Sequence, residues 1–301
     1  MDYKAPLETY SGRVAEVVIG KGEKALKIGG ENVLPLHFFE GKAENRQRLA
    51  LEVFDCEPKA WTEWERRPYE GVLADPVAWA RKCLELGADL VCLRLVSADP
   101  TGDNAPADKA AAMAKQVASA IKTPLIVYGC GDETKDIEVL TRVAEVCAGE
   151  NLLLGPLVKE NYEPIAKAAL AHGHCIIAQS PLDINLEKEL NVKLLKTFPR
   201  ERMVIDPLSS ALGYGMEYSF TIMERTKHIG VMFGDTTMQL PIIADVGSES
   251  GKAKQAKENE KQGLLWESVT ALSLLLAGAN ILVLRQPESL KLIKEVIEGR
   301  I

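Results

Sequence analysis

The chain has 301 residues, with 36 Lys and Arg against 43 Asp and Glu, a formal net charge of -7 and 47% apolar residues. That balance describes a mildly acidic globular protein with no basic field to grip a phosphate backbone, so no nucleic-acid partner is expected. The longest apolar run, ALSLLLAGANILVL at 271–284, is shorter than the roughly 20 residues a membrane helix needs and is broken by Ser, Gly and Asn, so no membrane partner is expected either.

The opening segment, MDYKAPLETYSG, lacks a basic n-region and an apolar h-region, which predicts a cytoplasmic protein. GRVAEVVIG, KGEK and ALKIGG then read as a β-hairpin with a tight turn, placed to plug one end of the repeating part of the chain. Beyond the hairpin, short apolar runs alternate with amphipathic stretches: LALEVF (49–54), DPVAWARKCLELG (75–87), LVCLRL (90–95), DKAAAMAKQVASAI (108–121), LIVYG (125–129), LLLG (152–155), EPIAKAALAHG (163–173), CIIAQ (175–179), MVID (203–206), IIAD (242–245), LLWESVTALSLLLAG (264–278) and ILVLR (281–285).

The eight strand-like runs are nearly continuous in hydrophobicity, as parallel strands buried on both faces should be. The helical stretches have clear limits: Asp75 is an N-cap before Pro76, and Gly87, Gly173 and Gly278 sit where a left-handed residue ends a helix. Eight such repeats in about 250 residues predict an α/β fold, a (β/α)8 TIM barrel with an N-terminal β-hairpin cap. A doubly wound open sheet fits less well, because no G-x-G-x-x-G opens the first βα unit. No linker is visible, so one domain over 1–301 is expected, with 1–40 as its hairpin extension.

Ligands of such barrels meet the C-terminal ends of the strands, so the residues just after each run carry the functional weight. Asp99, Asp132 and Asp183 serve there either as caps for the helices that follow or as ligand contacts. Gln179, Ser180, Pro181, Asp183 and Asn185 form one polar segment, and Asp206 before Pro207 suits either a turn or a presented carboxylate. Arg94, inside a buried strand, needs an anionic partner, which Asp206 or Asp245 is expected to supply. In ALGYGMEYSF (211–220), Gly213 and Gly215 bracket Tyr214 just before a helix N-terminus, an arrangement that turns backbone amides toward a ligand. GSESGKAKQAKENEKQG (247–263) contains no large apolar residue and is expected to be a mobile lid or a partner-facing loop.

No lysine lies in any of the eight runs, which argues against a Schiff-base aldolase. His37, His172, His174 and His228 fall away from the expected strand tips, so neither a metal triad nor a histidine base is expected. The six cysteines are separated by 27, 9, 38, 17 and 28 residues, without a CxxC pair, so no iron-sulfur cluster is expected on this chain. Cys83, Cys92 and Cys175 lie in apolar segments and read as core.

ALEVFDCEP (50–58), LGADLVCLRLVSADPTG (86–102), YGCGDETKD (128–136), ENLLLGP (150–156), QSPLDIN (179–185), DPLSSALGYGMEYSFTIMER (206–225) and LLWESVTALSLLLAGANILVLRQPE (264–288) resemble the small subunit of the corrinoid iron-sulfur protein of the acetyl-CoA (Wood-Ljungdahl) pathway. Its archaeal counterpart is the delta subunit of the acetyl-CoA decarbonylase/synthase complex. The resemblance implies a barrel whose C-terminal rim covers a cobalt corrinoid of the cobalamin type, clamped against a large iron-sulfur-bearing subunit in a heterodimer. It further implies that cobalt receives a methyl group from methyl-tetrahydrofolate on a separate methyltransferase and delivers it to acetyl-CoA synthase/CO dehydrogenase, with this subunit not catalytic alone.

On that reading Asp99, Gln179, Ser180, Pro181, Asp183, Asn185, Asp206, Gly213, Tyr214, Gly215 and Asp245 border the corrinoid. The chain has no D-x-H-x-x-G, so the usual lower-ligand histidine motif of corrinoid modules is not here. Relatives carry a Glu-Ala-Trp run soon after the seventh strand, whereas this chain reads Ser248-Glu249-Ser250-Gly251. The alternative is a pterin-dependent methyltransferase of the dihydropteroate-synthase-like barrel class, in which Asp99, Asp183 and Asp206 would hydrogen-bond the pterin.

Overall fold

The computed structural model describes residues 6–41 and 43–299; the first five residues of the opening segment lie outside them. A hairpin comes first, its strands β1 (Val17–Ile19) and β2 (Leu26–Ile28) antiparallel with Val18 opposite Lys27. Eight parallel strands come next: β3 (Arg48–Phe54), β4 (Leu90–Arg94), β5 (Leu125–Tyr128), β6 (Leu153–Leu157), β7 (Cys175–Gln179), β8 (Met203–Asp206), β9 (Ile243–Asp245) and β10 (Ile281–Leu284). They run in the order β8-β7-β6-β5-β4-β3-β10-β9, and a bridge from Ile205 to Ile242, with Ile205 N–H donating to Pro241 O at 2.9 Å, brings the two ends together. All eight strand expectations therefore hold, and the sheet is a barrel.

Helices fill the outside: α1 (Glu63–Arg66), α2 (Pro76–Glu85), α3 (Ala107–Ala120), α4 (Glu133–Val146), α5 (Tyr162–His172), α6 (Ile184–Leu194), α7 (Met216–Lys227), α8 (Val246–Lys252), α9 (Glu260–Leu276) and α10 (Pro287–Ile297). Their limits follow local chemistry. Asp75 accepts from the Val77 and Ala78 amides, Asp132 from Lys135 N–H and Asn259 from Gln262 N–H, each satisfying donors that the first helical turn leaves free. Gly173 ends α5 at φ +83°, where a side chain would be strained.

Alternation sorts the barrel wall. Leu49, Leu51, Val53, Val91, Leu93, Val127, Leu154, Ile176 and Ile205 point outward into the helix layer, while Ala50, Leu90, Cys92, Ile126, Leu153, Cys175, Ile177, Val204, Ile243, Ile281 and Val283 face inward. Val17, Ile19 and Ile28 of the hairpin join that inner cluster. Asn151, just before β6, donates from Nδ2 to Val18 O at 2.8 Å and Gly20 O at 2.9 Å, so the hairpin stoppers the N-terminal end of the barrel as expected.

The segment 247–263 corrects its expectation. It is not a loose lid: α8 and a 3-10 turn at Gln255–Lys257 pack onto the barrel, with Gly247, Ser250, Ala253 and Ala256 buried. A Cβ on Gly247 would lie 2.6 Å from the Arg285 amide nitrogen, and one on Gly251 would strike the Arg285 guanidinium. Small residues let this backbone approach β10 more closely than any apolar side chain would permit.

Candidate functional site

The inward positions change character one step from the C-terminal ends of the strands. Below, the interior is aliphatic; at the top, Glu52, Arg94, Tyr128, Gln179, Asp206, Asp245 and Arg285 form a tier of polar side chains. Arg94 holds it together. Its Nε donates to Glu52 Oε2 at 2.7 Å, its Nη2 to Asp245 Oδ1 at 2.5 Å, and its guanidinium carbon lies 4.8 Å from the centre of the Tyr128 ring. Arg285 donates to the other oxygen of Glu52 at 2.5 Å and to Glu65 Oε1 at 2.7 Å, and it covers the Trp61 ring at 4.4 Å. Tyr69 donates its hydroxyl to Arg285 O at 2.6 Å.

The expectation that Asp206 or Asp245 pairs with Arg94 is met, and the arginine has two partners. Asp245 is one, Glu52 is the other, and Asp206 is not. Asp206 instead accepts from Gln179 Nε2 at 2.8 Å and Leu208 N–H at 3.0 Å, with the Tyr128 hydroxyl at 3.5 Å. The difference has electrostatic consequences. Burial pushes Glu52 up, but two guanidiniums outweigh it and hold the carboxyl below its ordinary range. Asp206 has only uncharged partners; burial, with Asp245 adding to it, pushes its carboxyl up to about 7.

At the Gln179 edge of this floor, α6, the start of α4 and the loops after β6, β7 and β8 frame a cleft of about 450 Å³. Gln179, Ser180 and Pro181 line it with Val158, Leu186, Leu190 and Leu208, and Glu133, Lys159, Glu160, Glu189 and Lys193 stand around them. Ser180 is 4% exposed, and its Oγ has no hydrogen-bond partner among the described residues. Leu208 holds φ +65°, a left-handed conformation that costs a branched residue about 1–3 kcal/mol and concentrates at functional sites. Sequence reasoning passed over Leu208, Glu52 and Tyr128. An acid in the middle of LALEVF, and the inward parity of 52, 94, 128, 179, 206, 245 and 285, were the available signals.

The other candidates lie around the rim without converging on the cleft. Asp99 makes a local turn, Oδ1 accepting from Thr101 N–H at 2.7 Å and Thr101 Oγ1 at 2.8 Å. Asp183 caps α6 through the Asn185 and Leu186 amides, and Asn185 is exposed. Gly213 and Gly215 both take positive φ and lead into α7, as expected. Tyr214 points sideways to the α8–α9 segment, donating to Gln255 Oε1 at 2.8 Å and accepting from Lys254 N–H at 3.0 Å. A second groove, about 710 Å³, runs along α1, where Arg66 and Arg67 already pair with Glu57 and Glu260.

The histidines lie elsewhere. His174 is buried beneath the helix layer, its Nδ1 accepting from Leu152 N–H at 3.1 Å, and burial lowers it to about 4. Among the described residues no group of three or more His, Cys, Asp or Glu is placed to hold a metal ion, and no helix is long and apolar enough to cross a membrane.

A family profile described as the CO dehydrogenase/acetyl-CoA synthase delta subunit matches residues 16–297. The chain belongs to that family. Acetyl-CoA decarbonylase/synthase complex subunit delta of Archaeoglobus fulgidus is 37% identical, over 96% of this chain and 69% of the relative. The Methanopyrus kandleri subunit of the same name is 35% identical, over 95% of this chain and 75% of the relative. The delta-subunit relatives are thus named as parts of a multisubunit complex. Among solved structures, a dihydropteroate synthetase with bound product superimposes with TM-score 0.62 at 12% identity, over 94% of this chain and 98% of that one. The Stenotrophomonas maltophilia dihydropteroate synthase does so at 0.57 and 16%, over 83% and 93%. These likenesses establish the TIM-barrel fold of the delta-subunit chain, and the family match does not favour the pterin-methyltransferase alternative.

Proposed function

We propose that this chain is the barrel subunit of a cytoplasmic methyl carrier, its C-terminal rim forming one wall of a cobalt-corrinoid site that a large iron-sulfur subunit completes. The observation that carries the reading is the rim cleft beside Gln179 and Ser180, which joins apolar walls to a buried hydroxyl without a partner among the described residues. A corrin is a broad, largely apolar disc fringed with amides, and such a rim offers both kinds of contact. Gln179, Ser180 and Pro181 would hold its edge, Asp206 and Asp245 would fix the floor beneath, and Asp99, Asp183, Asn185, Gly213, Tyr214 and Gly215 would border it.

When bound, the corrinoid supplies a cobalt that accepts a methyl group donated by methyl-tetrahydrofolate through a methyltransferase and passes it to acetyl-CoA synthase. The residues of this chain orient the disc and exclude water from one face. No imidazole among the described residues stands at the rim, so a histidine ligand to the metal would come from the partner.

Coexpression of this chain with a cluster-bearing large subunit, followed by purification, tests the reading. A co-eluting pair with a corrinoid absorbance spectrum is expected, weakened by Ser180→Val or Leu208→Arg, while the lone chain holds corrinoid weakly. A pair without cobalt, or tight stoichiometric binding by the lone chain, defeats it.

A further inference from the structure

A third hollow, of about 530 Å³, opens at the other end of the barrel, beside Asn280 before β10 and the C-terminal ends of α9 and α10. Its walls are mostly apolar, Val33, Leu34, Pro35, Leu275, Leu276 and Val296 among them, with Asn45 and Gln47 the polar exceptions. One end is polar. Lys227, 1% exposed, donates to Glu31 Oε1 at 2.6 Å and to Asn280 Oδ1 at 2.8 Å, and Asn280 Nδ2 donates to the same Glu31 oxygen at 2.9 Å.

One acceptor at that end has no partner among the described residues: Glu31 is 8% exposed, and its Oε2 is buried. An ammonium has three donors, and the contacts above use two of those on Lys227. Buried polar groups are nearly always paired, so an unpartnered acceptor beside the Lys227 ammonium marks a place for a group that can give a hydrogen bond.

Charge narrows the ligand further. Glu31 and Lys227 cancel each other, with the lysine and Asn280 overcoming burial to keep the carboxyl below its ordinary range. A carboxylate or ammonium brought to this end would be a buried charge without a counter-ion. We infer that the cavity at the N-terminal end of the barrel is a binding site for a small neutral amphipath, whose hydroxyl or carboxamide head meets Glu31 and Lys227 while its hydrocarbon body lies on Leu275, Leu276 and Val296. A volume of about 530 Å³ is within the range of small-molecule sites.

The test titrates the full chain with 1-hexanol, hexanamide, hexanoate and hexylammonium, following saturation-transfer NMR and melting temperature. Saturable binding and a raised melting temperature are expected for the alcohol and the amide, with hexanoate and hexylammonium weaker by at least about ten-fold. Val296→Trp and Leu276→Trp fill the body of the cavity without touching the polar end, and either should abolish the response to hexanamide. No saturable binding of either neutral probe to the unmodified chain overturns the inference. So does equal binding of the charged probes, or unchanged hexanamide binding in whichever tryptophan variant folds.

Discussion

At the scale of single residues, the polar tier under the rim shows how little a buried side chain's type says without its partners. Arg94, Glu52, Asp245 and Arg285 form a chain of alternating charge in which each guanidinium meets two carboxylates, so removing one cation leaves uncompensated charge indoors. Arg94→Met is therefore expected to cost about 3–5 kcal/mol, read by urea denaturation, whereas an exposed pair such as Arg13–Glu44 contributes less than about 1 kcal/mol.

Glu187 makes the opposite case. Buried on α6 with Thr226 Oγ1 at 3.2 Å as a neutral partner, it is raised by burial to about 8. A carboxyl that binds its proton more tightly when folded stabilises the chain at low pH, and that contribution is lost as pH climbs from the unfolded value toward 8. The Glu187→Gln variant should match the parent at pH near 5 and exceed it by on the order of 3 kcal/mol near pH 8, in paired denaturation curves.

Among the elements, α6 and α8 were legible to different degrees. The start of α6 follows from Asp183, whose cap is worth about 1 kcal/mol, so Asp183→Ala should lose that amount while Asp183→Asn, which can still accept, should not. If Asp183→Asn instead weakens corrinoid retention at full stability, the residue contacts the cofactor as well as capping. The docking of α8 could not be read, because low hydrophobicity normally signals a solvated segment and the compensating close approach involves residues far apart in sequence. Gly263, against the Trp64 ring, belongs to the same packing. Gly263→Val should destabilise by about 1–3 kcal/mol through overpacking, measured as a lower denaturation midpoint. Tyr214→Phe should leave the midpoint nearly unchanged while speeding hydrogen exchange at the Lys254 amide, which the tyrosine oxygen now holds.

For the whole molecule, the hairpin and the polar tier close the barrel at opposite ends. Ile19 is fully buried in the plug, so Ile19→Ala is expected to cost about 2–5 kcal/mol, with heat-denaturation calorimetry as the check. Local patterning alone determined the eight strands, the helices between them and the rim on which Gln179, Asp206 and Asp245 stand, because parallel strands, caps and turn glycines write their requirements into neighbouring residues. Which carboxylate meets Arg94, which acid burial pushes upward, and how a glycine-rich segment comes to lie on Arg285 were decided only by tertiary structure. Those outcomes depend on distances between chain positions as much as 233 residues apart, and on burial, and neither quantity exists until the barrel has closed.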